Sequence, residues 1–322
     1  MIHFKLRKST YLFLFLLMNF QLFSCAQKVE NEKIKNKNTE KDVLEIKTGA
    51  ERTNLYLSKL KGKNIAIVAN QTSVLTVLQR AEIAPNVMGS KKVSQHLVDY
   101  LHNYNGIKVQ KVFAPEHGFR GKADAAELVK DGIDKKTGLP IVSLYGKSKK
   151  PSEKQLEGID LVVFDIQDVG VRFYTYISTL HYVMEACAEN KIPLIILDRP
   201  NPNAHYIDGP VLEPKHASFV GKHPVPVVYG MTIGEYGQMI NGQKWLKNGI
   251  KCDLTVIPLE NYNHNSSYSL PIKPSPNLPN DKSIDLYPSL GFFEGTTINA
   301  GRGTEFQFQR YGAPFFKKTD FS

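Results

Sequence analysis

Cysteine is nearly missing from this chain, with three in 322 residues at positions 25, 187 and 252. No CxxC or HExxH occurs, so neither a redox dithiol nor a metal site has spacing support, and no metal is expected. Cys187 falls in a helical pattern and Cys252 opens a strand pattern, so both read as buried thiols rather than a disulfide or a metal pair. No GxGxxG or GxxxxGK[ST] follows the first strand, which leaves no glycine loop to cradle a phosphate. GxSxG is absent too, against an α/β-hydrolase serine nucleophile. Nothing calls for an organic cofactor. The formal net charge is +10, yet no basic helix is interleaved with aromatics, so no nucleic-acid partner is expected. A mildly basic surface suits an anionic substrate or an anionic membrane face.

What is present describes a folded protein behind an export leader. Charged residues make up 22% and hydrophobic ones 42%, the balance of a soluble globular chain with one large or two moderate domains. Lys5, Arg7 and Lys8 precede an apolar run of about 13 residues, Tyr11 to Phe23, too short to span a bilayer comfortably. Leu22-Phe23-Ser24-Cys25 then reads as a bacterial lipobox. Residues 1–25 are therefore expected to be a lipoprotein signal peptide, cleaved before Cys25, whose sulfur is acylated. The protein would be exported and held to a bacterial membrane by lipid alone, in the periplasm or at the cell surface. A plain secretory signal is the alternative. Residues 26–50, rich in Lys, Glu, Asn and Thr, read as a flexible tether.

The body alternates strand and helix. Strands are expected at Asn64–Ala69, Ile107–Phe113, Pro140–Tyr145, Asp160–Ile166, Ile192–Leu197 and Leu254–Pro258. Helices are expected at Val93–Tyr104, Ser152–Leu156, Tyr176–Glu189 and Thr232–Lys247, the last opened by a Thr232/Glu235 capping box. Near-continuous apolar strands between helices imply an α/β fold, a Rossmann-like parallel sheet with helices on both faces. Residues 51–260 would form it, and 261–322 would begin a smaller C-terminal α/β subdomain. Ligands of such sheets bind beyond the carboxyl ends of the strands. Polar clusters stand at those places: Asn70-Gln71, Glu116-His117, Asp165 to Asp168 and Asp198-Arg199. They imply one shared cleft.

The stretch Ile107 to Gly121 is the most pointed. A strand stops at Ala114-Pro115 and then presents Glu116, His117 and Arg120 among glycines. Such groups are costly to bury unpaired and are candidates for chemistry, although a salt-bridged loop would look the same. Later, Phe292 to Arg302 interleaves Glu294, Asn299 and Arg302 with small residues that let backbone approach a ligand.

Several segments resemble one family: PEHGFRG (115–121), FDIQDVGVRFYTYISTL (164–180), LDRPNP (197–202), DGPVLEP (208–214), SPNLP (275–279) and FEGTTINAGRGT (292–304). They are similar to the NamZ-type exo-β-N-acetylmuramidases, glycoside hydrolase family 171, long catalogued as a domain of unknown function. The resemblance implies an enzyme of peptidoglycan recycling that removes N-acetylmuramic acid from non-reducing ends of cell-wall fragments. Its site would lie in a cleft between a Rossmann-like and a smaller domain. Family chains run beyond the GAP segment at 312–314, so the smaller domain is expected to be incomplete here. Residue 229, in Tyr229-Gly230-Met231-Thr232, is Tyr where the family has His.

Glycoside hydrolysis needs a proton donor and a second group at the anomeric carbon. Glu116 is the expected acid. Asp165 and Asp168 are preferred for the second role and Glu294 comes third; a substrate acetamido group oriented by a carboxylate is a further route. For the lactyl carboxylate the candidates are Arg172 first, then Arg120 and Arg302. Tyr174 and Tyr176 would be stacking walls or core aromatics, and Asn70, His117 and Asn277 would contact the sugar. The competing class is a non-catalytic surface lipoprotein that binds glycans or cell-wall fragments in the same cleft. An esterase or amidase lacks its motif.

Overall fold

The computed structural model describes residues 44–84, 87–120, 131–146 and 148–317. The expected leader, Cys25 and most of the expected tether lie outside them. Among the described residues nine strands run: β1 Asn64–Ala69, β2 Val74–Ala84, β3 Val87–His96, β4 Lys108–Ala114, β5 Gly132–Ile133, β6 Pro140–Ser143, β7 Leu161–Asp165, β8 Leu194–Leu197 and β9 Leu254–Ile257. Seven form one sheet in the order β5-β6-β4-β1-β7-β8-β9, parallel throughout except for β5 at the edge. Because β4 pairs on one side of β1 and β7 on the other, the strand order switches at β1. Crevices of doubly wound sheets open at such points.

The strands are apolar on both faces because helices cover both. Along β1, Ala66 and Val68 pack into one cluster with Leu180 and Met184 of α4 (Tyr176–Glu189) and Ile233 and Tyr236 of α5 (Ile233–Gly242). Ile65, Ile67 and Ala69 point the other way, onto Leu60 of α1 (Leu57–Leu60) and onto Leu97, Val98 and Leu101 of α2 (Leu97–His102). Alternate residues of one strand thus feed two cores. Short α3 (Glu153–Leu156) is capped by Ser152, and α6 (Asp281–Leu290) by Asn280. The capping box of α5 forms as expected, with Thr232 Oγ1 accepting from the Glu235 amide at 3.2 Å.

Two stretches depart from the sequence reading. Val93–Tyr104 is not one helix: its first four residues finish β3, which pairs antiparallel with β2 in a separate two-stranded ribbon, and the helix spans only Leu97–His102. The spacing of Val93, Leu97, Tyr100 and Leu101 imitated a helical face across the boundary. Helix α5 stops at Gly242 instead of Lys247, where the chain turns through Lys244 at φ 56°. Cys187 and Cys252 are buried free thiols. Among the described residues no helix is long and apolar enough to cross a membrane.

Candidate active site

Beyond the carboxyl ends of β4, β6 and β7 lies a cavity of about 300 Å³. Glu116 and His117 enter it from the turn after β4. That turn closes with the Gly118 amide donating to the Pro115 carbonyl at 3.0 Å, and His117 takes a left-handed φ of 68°. A non-glycine residue there is uncommon and marks backbone held by its surroundings.

Glu116 is anchored from the neighbouring loop. Thr175 Oγ1 donates to its Oε2 at 2.8 Å, and the Tyr176 hydroxyl reaches its backbone carbonyl at 3.4 Å. Tyr145, just past β6, also faces Glu116; burial and then that carboxylate push the phenol up to about 12. The opposite wall comes from the C-terminal part. Glu294 accepts from Arg302 at 2.5 Å and from the Tyr287 hydroxyl at 3.2 Å. Burial raises the Glu294 carboxyl above the usual range; Arg302 and Tyr287 oppose this, and Glu116 adds to it through like charge. Two carboxyl groups therefore sense each other across one hollow. Asn277 lines it too, carried on a segment pinned at the Pro274 carbonyl by Gln71 (2.9 Å) and Tyr176 (3.5 Å).

Of the residues singled out from sequence, Glu116, His117, Tyr174, Tyr176, Asn277, Glu294 and Arg302 line this cavity. Asn70, Arg120, Asp165, Asp168 and Arg172 do not, and each is engaged elsewhere. Asp165 is fully buried, and Arg199 grips it at both oxygens, at 2.6 and 2.9 Å. Burial works against the charge on that guanidinium, and the Asp165 carboxylate outweighs it, raising Arg199 above its ordinary value. Asp168 accepts from the Gly170 amide at 2.8 Å and from the Tyr229 hydroxyl, and burial lifts it to about 6. Tyr229, where the resemblance had promised a histidine, thus serves a buried aspartate.

Arg172 donates to the carbonyls of Pro210 (2.7 Å) and Val225 (2.5 Å). Arg120 bridges Asp99 (2.9 Å) and Asp134 (2.7 Å); its bond to Asp134, with those from Thr137, overcomes burial and holds that carboxyl at about 2. Asn70 accepts from the Thr72 amide and hydroxyl, which shapes the turn after β1. The expected meeting of Glu116 with Asp165 and Arg172 is therefore replaced by a meeting with Glu294 and Arg302. Thr175, Tyr145 and Tyr287 were missed. Thr175 stood in plain view inside the FYTY run, but nothing local in sequence ties Tyr145 or Tyr287 to Glu116.

Among the described residues no group of three or more His, Cys, Asp or Glu could hold a metal ion. What the cavity offers is paired carboxyl groups, one guanidinium and an aromatic wall, a set suited to glycoside chemistry. Family profiles agree. The N-terminal profile of the exo-β-N-acetylmuramidase NamZ matches residues 65–282, and its C-terminal profile matches 285–322. The chain belongs to the NamZ family. A peptidoglycan β-N-acetylmuramidase NamZ of Bacillus subtilis (strain 168) is 42% identical, over 98% of this chain and 72% of its own length. Crystal structures of two DUF1343-family proteins of Bacteroides fragilis, 47% and 33% identical, each superpose with a TM-score of 0.71 over 84% of this chain. The match covers 67% and 66% of those chains. Within this NamZ-family chain, Glu116 falls in the N-terminal match, and Glu294 and Arg302 in the C-terminal one.

Proposed function

We propose that this chain is an exo-acting glycoside hydrolase that releases N-acetylmuramic acid from the non-reducing ends of peptidoglycan fragments during cell-wall turnover. The observation that carries this reading is the convergence of Glu116 and Glu294 in one aromatic-walled cavity of about 300 Å³. The name of the Bacillus subtilis relative supports both the sugar and the bond. In this reading Glu116 gives its proton to the leaving oxygen as the glycosidic C–O bond breaks. Glu294, ionised beside Arg302, faces the cationic anomeric carbon, and water supplies the new C–O bond and returns a proton to Glu116. Arg302 takes the lactyl carboxylate through its guanidinium fork, while Asn277 and His117 contact sugar hydroxyls and Tyr174 forms the wall.

The test is incubation with a chromogenic β-N-acetylmuramide; absence of release by the folded protein overturns the reading. We also propose export and lipid anchoring through Cys25, supported by the basic n-region, the apolar run and the lipobox. Cys25→Ser should move the protein from the membrane fraction to the soluble one. The division into a Rossmann-like domain (51–260) and a smaller C-terminal one (261–322) remains part of this proposal; the two family profiles divide the chain in the same order, at a later point between residues 282 and 285.

A further inference from the structure

The cavity has a built rim on its outer side. Ser218 and Gly221 form an isolated antiparallel bridge, with the Ser218 amide donating to the Gly221 carbonyl at 2.7 Å. The turn they close leaves Phe219 and Val220 at its tip, both on the cavity wall, with Val220 59% exposed. Val220 is exposed and Phe219 partly so, which leaves an apolar edge on the outer side of the cavity wall. From Phe219 the aromatic surface continues in two directions. Tyr145, the neighbour of Glu116, lies 6.4 Å away between ring centroids, and Tyr182 lies near-parallel (19°) at 6.3 Å.

Two ammonium groups rest on these rings. Lys149 Nζ stands 4.4 Å from the Phe219 centroid, and Lys222 Nζ stands 4.4 Å from that of Tyr182 while donating to its hydroxyl at 3.1 Å. Neither lysine forms an ion pair with a described carboxylate. A partly exposed ammonium resting on a ring gains little there and is readily given up to an anion. The rim thus combines sugar-sized apolar surface with two positive charges that no described carboxylate holds, directly outside the proposed proton donor.

We propose that Tyr145, Phe219, Val220 and Tyr182, with Lys149 and Lys222, bind the leaving-group side of the substrate, an anionic saccharide whose carboxylate pairs with the two ammonium groups. This rests on the hydrolase reading above. The first sugar of the leaving group packs on the Phe219–Val220 tip, and the carboxylate arrives with the sugar after it. That carboxylate has two sources, the lactyl group of a second muramyl residue or a stem peptide attached to it.

The experiment compares the full chain with K149E/K222E and K149Q/K222Q on three substrates. One carries a small neutral chromogenic aglycone, one an anionic saccharide leaving group without peptide, and one the same group with its peptide. Charge reversal should raise KM for the anionic leaving groups roughly tenfold more than for the small aglycone, with the Gln pair in between. Raised salt should weaken binding of those substrates by wild type but not by the Glu pair. A penalty on both anionic substrates assigns the lactyl carboxylate; a penalty confined to the third assigns the peptide. Equal KM changes on all three substrates overturn the proposal. Calorimetric binding of the same two anionic saccharides to E116Q with and without the lysine reversals reads the rim independently of turnover. Unchanged affinity there defeats the rim, whereas binding by a wild type that hydrolyses nothing defeats the hydrolase reading alone.

Discussion

Glu116 owes its place to the residues on either side of it. Pro115 ends the strand, and the left-handed turn at His117 swings the carboxyl toward Thr175 and Tyr145. Replacing it with Gln should lower kcat by about 10²–10⁴-fold with the melting temperature nearly unchanged, because Thr175 can still donate to the amide oxygen. Glu294 yields a test of sign. In the proposed reaction its raised carboxyl must ionise to face a cationic carbon, so activity should fall as pH drops through a value above that of an ordinary glutamate. Arg302 favours the ionised form. Arg302→Gln should therefore move the acidic limb of kcat/KM to higher pH; a limb that stays put or moves down would reject the role given to Glu294. At this scale sequence went only part of the way. Glu116, Glu294 and Arg302 stand out because glycines and proline surround them. Asp165 and Asp168 looked equally eligible, since sequence does not reveal that Asp165 would be claimed by an arginine 34 residues away.

At the scale of elements, the junction of β8 and α5 shows how a cap and a titration combine. Asp198, at the end of β8, accepts from Thr232 Oγ1 and the Gly234 amide, both at 2.8 Å, and burial lifts its carboxyl to about 6. The helix can sit this close only because residue 234 lacks a side chain: a Cβ there would stand 2.7 Å from the Asp198 carboxyl carbon. Thr232→Ala removes the cap and should cost about 1–2 kcal/mol in denaturant unfolding. In the unfolded chain Asp198 titrates near its ordinary value, about 3.9. Its stabilising contribution is therefore full below about pH 4 and is lost as pH rises through about 6. Relative to Asp198→Asn, the wild type should lose roughly 2–3 kcal/mol across that window; parallel pH curves would contradict it. The capping box was legible because Thr and Glu three apart are a local signal. The β2–β3 ribbon was not, because half of its partnership lies in pairings that a single run of residues does not display.

At the scale of the molecule, the parallel sheet was legible because its central strands β1, β7 and β8, covered on both faces, are apolar along nearly their whole length. The position of the candidate hollow along that sheet was not, since its second wall comes from residues 275–308, where Asn277, Glu294 and Arg302 stand outside α6. The buried Asp165–Arg199 pair explains why carboxylates at the sheet end were misleading. Arg199 joins the ends of β7 and β8 and also donates to the Val74 carbonyl at 2.9 Å, where the ribbon begins; Ser73 Oγ donates to the Asp165 carbonyl. One ion pair therefore ties three chain segments that are far apart in sequence. Removing only Arg199 would strand a negative charge in the interior, so Arg199→Met should cost about 3–5 kcal/mol. Removing both charges in D165L/R199M should recover most of that loss, because a packed apolar pair avoids the desolvation that the ions suffer. If Asp165 holds structure rather than performs chemistry, the refolded double variant should hydrolyse a chromogenic muramide with kcat near that of the wild type. A double variant that is stable but inactive would return Asp165 to the reaction and remove Glu294 from it.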